Sequence, residues 1–190
     1  MTSFFPAYFS LENRKILLVG GGYIALEKLE KLVDFTENIT VISKEVSTSF
    51  LTFAQKYNIP IEERPYEVGD ILGYDIVIVA TDTVELHREI FEESRSTRIL
   101  VNSVDDTAYC DFIFPSYIKR GDLTISISTS GASPAFAKRL RAYIEKLIPS
   151  TVEDFLIEMR GLRKTMPKGR VRMKFFEEKS EAFLRKEFKS

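Results

Sequence analysis

Three consecutive glycines, Gly20-Gly21-Gly22, stand between the apolar run Lys15-Ile16-Leu17-Leu18-Val19 and a segment opening Tyr23-Ile24-Ala25. The group has the form G-x-G-x-x-A, and each fixed position has a physical task. Gly20 permits a tight turn after a strand, Gly22 lets a pyrophosphate approach the backbone, and the small Ala25 lets a helix pack on the strand. A helix start adds N–H donors and the positive end of a dipole, so the chemistry offered is the binding of a dinucleotide's phosphates. The strand–turn–helix context that separates such a site from a chance match is present.

Other polar residues fall where ligands of such a fold sit. Thr81 and Asp82 follow the apolar strand Asp75-Ile76-Val77-Ile78-Val79-Ala80, and Asn102 ends the strand Arg98-Ile99-Leu100-Val101-Asn102. Asp82 is read either as a ligand-edge residue or as the N-cap of the next helix. The acid that usually holds the adenine ribose at the end of the second strand is missing. That strand ends Ser43-Lys44, with Glu45 next. Ser43 can donate to a ribose hydroxyl and Lys44 suits a 2′-phosphate, which leaves NAD and NADP both open. The only histidine, His87, reads as a packed or surface residue. Cys110 is either a reactive thiol or, more commonly for a free cysteine, a small buried hydrophobe.

These residues need a scaffold, and the apolar pattern supplies one. Ala25, Leu26, Leu29, Leu32 and Val33 recur at helical spacing, Ile39-Thr40-Val41-Ile42 is β-branched, and Phe50, Phe53, Ala54 and Tyr57 outline a second helix ending near Pro60. The near-continuous apolar run 75–80 is the mark of a strand buried on both faces of a parallel sheet. A helix over 84–94 follows it. Strands alternating with helices predict an α/β fold with a Rossmann-type parallel sheet over residues 1–115.

After Pro115 the grammar changes. Leu123, Ile125 and Ile127 alternate with polar residues as a half-buried strand. Ser133-Pro134 then opens a helix whose stripe is Phe136, Leu140, Tyr143, Ile144 and Leu147. A lone strand and helix would leave apolar surface bare, which a second copy of the chain would cover. Residues 116–149 therefore read as a dimerisation segment, and 150–190 as a small all-helical C-terminal domain with helices over 152–165 and 175–188. Seven basic residues and no acid lie from Arg160 to Lys174. They form either a solvated helical face with a connecting loop or a clamp for a polyanion.

Composition bounds the rest. The 190 residues are 44% hydrophobic with a formal net charge of −1, which gives no reason to expect nucleic acid or membrane as a partner. No stretch approaches the roughly 18 apolar residues of a membrane span. The N-terminus lacks a signal-peptide pattern, and a single cysteine permits neither an internal disulfide nor a cysteine-based zinc site. A cytoplasmic protein is expected.

The motifs also come in a distinctive order. Val19-Gly20-Gly21-Gly22, Ala80-Thr81-Asp82, Val101-Asn102-Ser103-Val104-Asp105-Asp106 and Cys110-Asp111-Phe112-Ile113-Phe114-Pro115 are followed by Arg120-Gly121-Asp122-Leu123, Ile127-Ser128-Thr129-Ser130-Gly131-Ala132-Ser133-Pro134 and Arg139-Leu140-Arg141. This series resembles the dehydrogenase portion of siroheme synthases and the stand-alone precorrin-2 dehydrogenases, from the first strand to Pro149. The resemblance implies NAD-dependent oxidation of precorrin-2 to sirohydrochlorin by a homodimer. It also implies a catalytic role for Asp105 and cofactor contacts at Tyr23, Ile24, Lys44 and Glu45. The chain departs from the family at His87, where asparagine is usual, and at Thr129, where some members have serine. With no methyltransferase portion, it is expected to stand alone.

That reaction removes a hydride and a proton from the macrocycle, so the protein's tasks are positioning and proton management. Asp105 lies just past a strand end and suits a general base, or a ligand for ferrous iron if the chain also chelates; its bland reading is a turn residue. The substrate's eight carboxylates call for cations and helix N-termini. Arg120, Thr129, Ser130, Gly131, Ser133 and Arg139 are the candidates, with Ser133 also a plain N-cap. No resident metal is expected. A different class of function, an NAD(H)-sensing regulatory protein without turnover, would need no carboxylate at Asp105.

Overall fold

A computed structural model describes residues 4–104 and 106–188. They divide between two compact units, one ending at Ile113 and the other beginning at Phe114.

The first unit runs β1 (Ile16–Val19), α1 (Tyr23–Leu32), β2 (Ile39–Ser43), α2 (Thr48–Lys56), β3 (Ile61–Glu63), β4 (Ile76–Val79), α3 (Val84–Ser94) and β5 (Leu100–Ser103), with a 3₁₀ turn at Thr107–Tyr109. Its five strands are all parallel, in the order β3-β2-β1-β4-β5. The central strands β1 and β4 are buried at every position, as their unbroken apolar runs require. On one face Leu17, Val19, Val77, Val79 and Val101 pack with Ile71 and Ile90. Ile16, Leu18 and Ile78, of opposite parity, are fully buried too. Burial of each such side chain stabilises by about 1.5–3 kcal/mol. Ser47 starts α2 by accepting the Phe50 N–H at 3.3 Å, and Asn58, at φ 52°, turns the chain out of it. The sequence pattern missed β3, which carries one apolar residue, Ile61, in three positions.

The second unit contains β6 (Ser116–Arg120), β7 (Leu123–Ile127), α4 (Pro134–Leu147), α5 (Val152–Thr165) and α6 (Arg170–Glu187). The strand expected to be alone is not: β7 pairs antiparallel with β6, Arg120 opposite Leu123, across a two-residue turn in which Gly121 has φ 53°. A side chain at Gly121 would strike Glu153 of α5, with a Cβ 2.7 Å from its Cγ. Strand β6 escaped the pattern because Ile118 is its only fully buried residue. Ile118, Ile148 and Val152 share one small core, joined by Leu123, Ile125, Ile144, Leu156 and Phe183. The segments read separately as 116–149 and 150–190 thus meet around a common apolar centre.

Helices α5 and α6 lie antiparallel. Phe155 stacks on Phe183 at 4.1 Å, Lys179 pairs with Glu158 at 2.7 Å, and Thr151 donates to Glu187 at 2.8 Å. Helix α6 begins at Arg170, five residues before the expected start, because its first turns bury nothing: Val171 is 82% exposed and Met173 72%. The basic run is therefore mostly helical, with only a short connection after Thr165. Arg172 donates to the Arg163 and Met166 carbonyls at 3.3 and 3.2 Å, capping α5, and Arg160 pairs with Asp122 of the hairpin turn. Such roles suit the solvated-face reading of this segment. Among the described residues no helix is long and apolar enough to cross a membrane.

Candidate functional site

The order of the sheet reverses between β1 and β4, and the carboxyl edge at such a switch point is where α/β sheets bind ligands. The glycine loop is built into that point. Gly20 has φ 126°, and a Cβ there would lie 2.9 Å from the Ala80 carbonyl carbon and nearer still to its oxygen. Backbone bonds lock the contact: Gly20 N–H to Ile42 O at 2.9 Å and Ala80 N–H to Val19 O at 2.8 Å. Gly22 differs. Nothing lies within 4 Å of a Cβ built there, and it caps α1 in extended conformation with no side-chain partner. The space beside it, facing the free N–H groups of a helix start, is the cradle a phosphate would fill. Ala25 is fully buried, as the third small position should be. Tyr23 is exposed and Ile24 half-buried on the first turn.

Gly21, given no role from the pattern, is also fixed. Its Cβ would stand 2.7 Å from Glu45 O and 2.9 Å from Ser43 Oγ, and its own carbonyl accepts the Ser47 N–H at 2.9 Å. The turn after β2 therefore rests on the glycine loop. Ser43, expected to donate to a ribose, is buried and gives its hydroxyl hydrogen to the Glu45 carbonyl at 2.6 Å. Its hydroxyl folds the turn that presents Lys44 and Glu45, both exposed.

At the end of β4, Thr81 is half-buried and Asp82 exposed. The N-cap of α3 is Thr83, so the capping alternative for Asp82 falls away. His87 is buried and its Nε2 lies 2.9 Å from the Thr81 carbonyl, holding this turn from inside α3.

At the end of β5, Asn102 is buried and donates to Phe112 O at 2.8 Å, while its Oδ1 and the Ser103 hydroxyl find no partner among the described residues. Asp105, the expected catalytic residue, lies outside the described residues. Next to this stretch, Asp111 accepts the Val101 N–H at 2.8 Å and pairs with Arg95 at 2.6 Å. Burial pushes its carboxyl up, but the Arg95 guanidinium and the Val101 N–H outweigh that and hold it below the ordinary carboxylate range. Cys110 offers its sulfur to the Ser103 N–H at 3.3 Å. Neither the Arg95–Asp111 anchor nor this thiol contact carries a local spacing signal, because the partners are 16 and 7 residues apart.

In the second unit, Thr129, Ser130, Gly131 and Ser133 form one loop at the head of α4. Ser130 and Gly131 have φ 50° and 86°. The Thr129 hydroxyl accepts the Ser133 N–H at 3.0 Å, and Ser133 caps α4 by accepting the Phe136 N–H at 3.2 Å, with Pro134 next. Arg120 donates to the Glu145 carbonyl at 3.4 Å, and Arg139 is exposed on α4. Phe136, Tyr143 and Leu147 are 58%, 63% and 54% exposed, so the helix's apolar stripe is largely bare. Among the described residues no three His, Cys, Asp or Glu side chains gather as a metal site would require.

Known proteins match both units. Residues 7–116 match the family described as putative NAD(P)-binding, and residues 120–147 the sirohaem biosynthesis protein central family. The chain is 37% identical over 157 residues to the precorrin-2 dehydrogenase of Bacillus subtilis (strain 168), a match covering 83% of this chain and 94% of that protein. It is 34% identical over 178 residues to the siroheme synthase of Methylococcus capsulatus (strain ATCC 33009 / NCIMB 11132 / Bath), covering 92% of this chain and 38% of that one. The siroheme synthase of Actinobacillus pleuropneumoniae serotype 3 (strain JL03) matches at 32% over 179 residues, 92% of this chain and 37% of the other. The chain thus spans little more than a third of these siroheme synthases. Its fold superposes on the solved structure of SirC, a precorrin-2 dehydrogenase, with a TM-score of 0.75 at 24% identity, over 89% of this chain and 85% of that one. A glycine loop built into the switch point of a parallel sheet and a relative aligned over nearly its whole length agree: the chain belongs to the family of precorrin-2 dehydrogenases and the matching portion of siroheme synthases.

Proposed function

We propose that this protein is a precorrin-2 dehydrogenase, oxidising precorrin-2 to sirohydrochlorin with NAD in the cytoplasm. The observation that carries the reading is the glycine loop. Gly20 is packed where no side chain fits, and Gly22 stands open at an uncapped helix start, the arrangement a pyrophosphate requires. Bound NAD supplies the hydride acceptor.

The chain's own residues do the remaining work. Gly20, Gly22 and the first-turn N–H groups at Tyr23 and Ile24 hold the phosphates. Lys44 and Glu45, presented by the Ser43-stabilised turn, meet the adenosine end. Thr81, Asp82 and Asn102 belong to the neighbouring strand ends at the same carboxyl edge. Asp105 acts as general base, accepting the macrocycle proton on a carboxylate oxygen. Arg120, Thr129, Ser130, Gly131, Ser133 and Arg139 receive substrate carboxylates through guanidinium, hydroxyl and backbone N–H donors. A second copy of the chain covers the bare stripe Phe136, Tyr143 and Leu147 of α4, because a soluble monomer rarely leaves such a row exposed.

The test separates binding from chemistry. Asp105→Ala should bind NAD as the wild type does, yet lose most of the oxidation rate, about 100-fold or more for a lost general base. Unchanged turnover in that variant would remove Asp105 from the mechanism.

A further inference from the structure

His87, the chain's only histidine, lies in the first turn of α3 and is buried. Its Nε2 stands 2.9 Å from the carbonyl oxygen of Thr81, which precedes the Thr83 N-cap by two residues. A carbonyl oxygen only accepts, so Nε2 carries the hydrogen and His87 is the donor. Other contacts hold the same turn. The Thr83 N–H meets the Thr81 hydroxyl at 3.4 Å, and the Ala80 N–H donates to the Val19 carbonyl at 2.8 Å. The Thr81 methyl would lie 3.5 Å from a Cβ built on Gly20. Thr81 is thus seated against the glycine loop on one side and tied into α3 on the other. The other buried residues of α3 are Ile90 and Ser94. Packing alone would be met by an apolar side chain at 87, whereas the imidazole places a donor on one particular carbonyl.

A dinucleotide lies across the switch point of such a sheet, one half on each side. With the adenosine half at the turn after β2, the nicotinamide half falls on the β4 side, where Thr81 is. We propose that His87 is a positioning residue for the nicotinamide half of NAD, its Nε2–H fixing the Thr81 turn against which that half lies. This rests on the reading above that NAD is bound with its adenosine end at Lys44 and Glu45.

The experiment titrates NAD and AMP against the full chain and its His87→Leu and His87→Gln variants, each checked by a thermal melt. Leucine fills the space without a donor, and glutamine keeps an N–H at similar reach. His87→Leu is expected to weaken NAD binding roughly tenfold, the scale of one buried hydrogen bond. AMP, which carries only the adenosine half, should bind this variant as it binds the wild type. His87→Gln should recover most of the NAD affinity. Where leucine does not fold, His87→Met, unbranched and equally without a donor, takes its place. Wild-type NAD affinity in the donor-free variant would overturn the proposal. An equal loss of AMP and NAD would also overturn it, making His87 a general support of the fold, as would a glutamine variant no better than leucine. A wild-type chain that binds neither nucleotide would instead remove the NAD reading, and this proposal with it.

Discussion

The two units solve the problem of holding a site in opposite ways. In the first, the glycine loop sits on strands buried at every position, and its shape is over-determined: Gly20 is pressed against Ala80, Gly21 against Glu45 and Ser43. In the second, the hairpin and α4 rest on a core of few fully buried residues, Ile118, Ile148 and Val152 among them, and α4 leaves Phe136, Tyr143 and Leu147 in solvent. A rigid, self-sufficient unit suits a cofactor of fixed shape. A unit with a bare apolar row is one whose stability depends on what covers it.

The largest test of this contrast lies in the glycine loop. Gly20→Ala places a Cβ against the Ala80 carbonyl at a φ that disfavours side chains. We expect a stability loss of about 2–4 kcal/mol and no measurable NAD binding. Gly22→Ala meets no protein atom, so stability should change by less than about 1 kcal/mol while NAD affinity falls at least tenfold. Thermal melts and NAD titration of the two variants separate packing from ligand space. Equal stability losses would break the distinction.

Next in size is the core comparison. Leu18→Ala, in the fully buried β1, should cost about 2–5 kcal/mol at any protein concentration. Tyr143→Ala should cost little in a dilute monomer, under about 1 kcal/mol for an exposed residue. Its effect should instead appear as a shift from dimer to monomer in sedimentation. A monomeric wild type would remove the idea that self-association covers α4.

A smaller effect concerns pH. The Asp111 carboxyl is held down by Arg95 and the Val101 N–H against the pull of burial. A carboxyl lowered in the folded state adds stability that is fully present above the unfolded Asp value of about 3.9 and is lost as pH falls through the lower folded value. Asp111→Asn should therefore cost about 1 kcal/mol at neutral pH, a modest figure because Arg95 is partly exposed. The difference from wild type should fade below about pH 4. Urea melts across pH 3–7 give the answer, and a constant difference would deny the linkage.

How much of this was legible in the sequence follows from where the information is stored. The first unit could be read because its determinants are local: an apolar run, three glycines, a β-branched strand. Gly20, Gly22 and Ala25 took the places their spacing assigned. Gly21 did not announce itself, because its constraint comes from the end of another strand, Ser43, and the turn after it, Glu45. The second unit was less legible. Strand β6 hides its one buried residue among polar ones, and α6 starts on exposed Val171 and Met173, so neither carries a clean period. Ser43 was assigned to a ribose because sequence cannot show that its hydroxyl is taken by the Glu45 carbonyl. Asp82 kept an N-cap alternative that the placement of Thr83 removes. Cys110 kept two readings, reactive thiol or small buried hydrophobe, because its partners, Ser103 and Asp106, become neighbours only when the chain turns back beyond β5.

The most direct test of the whole account is anaerobic absorbance of precorrin-2 with the protein and NAD. The account predicts conversion to sirohydrochlorin at a rate that depends on NAD and disappears with Gly20→Ala. A protein that binds NAD yet leaves the macrocycle spectrum unchanged would contradict it.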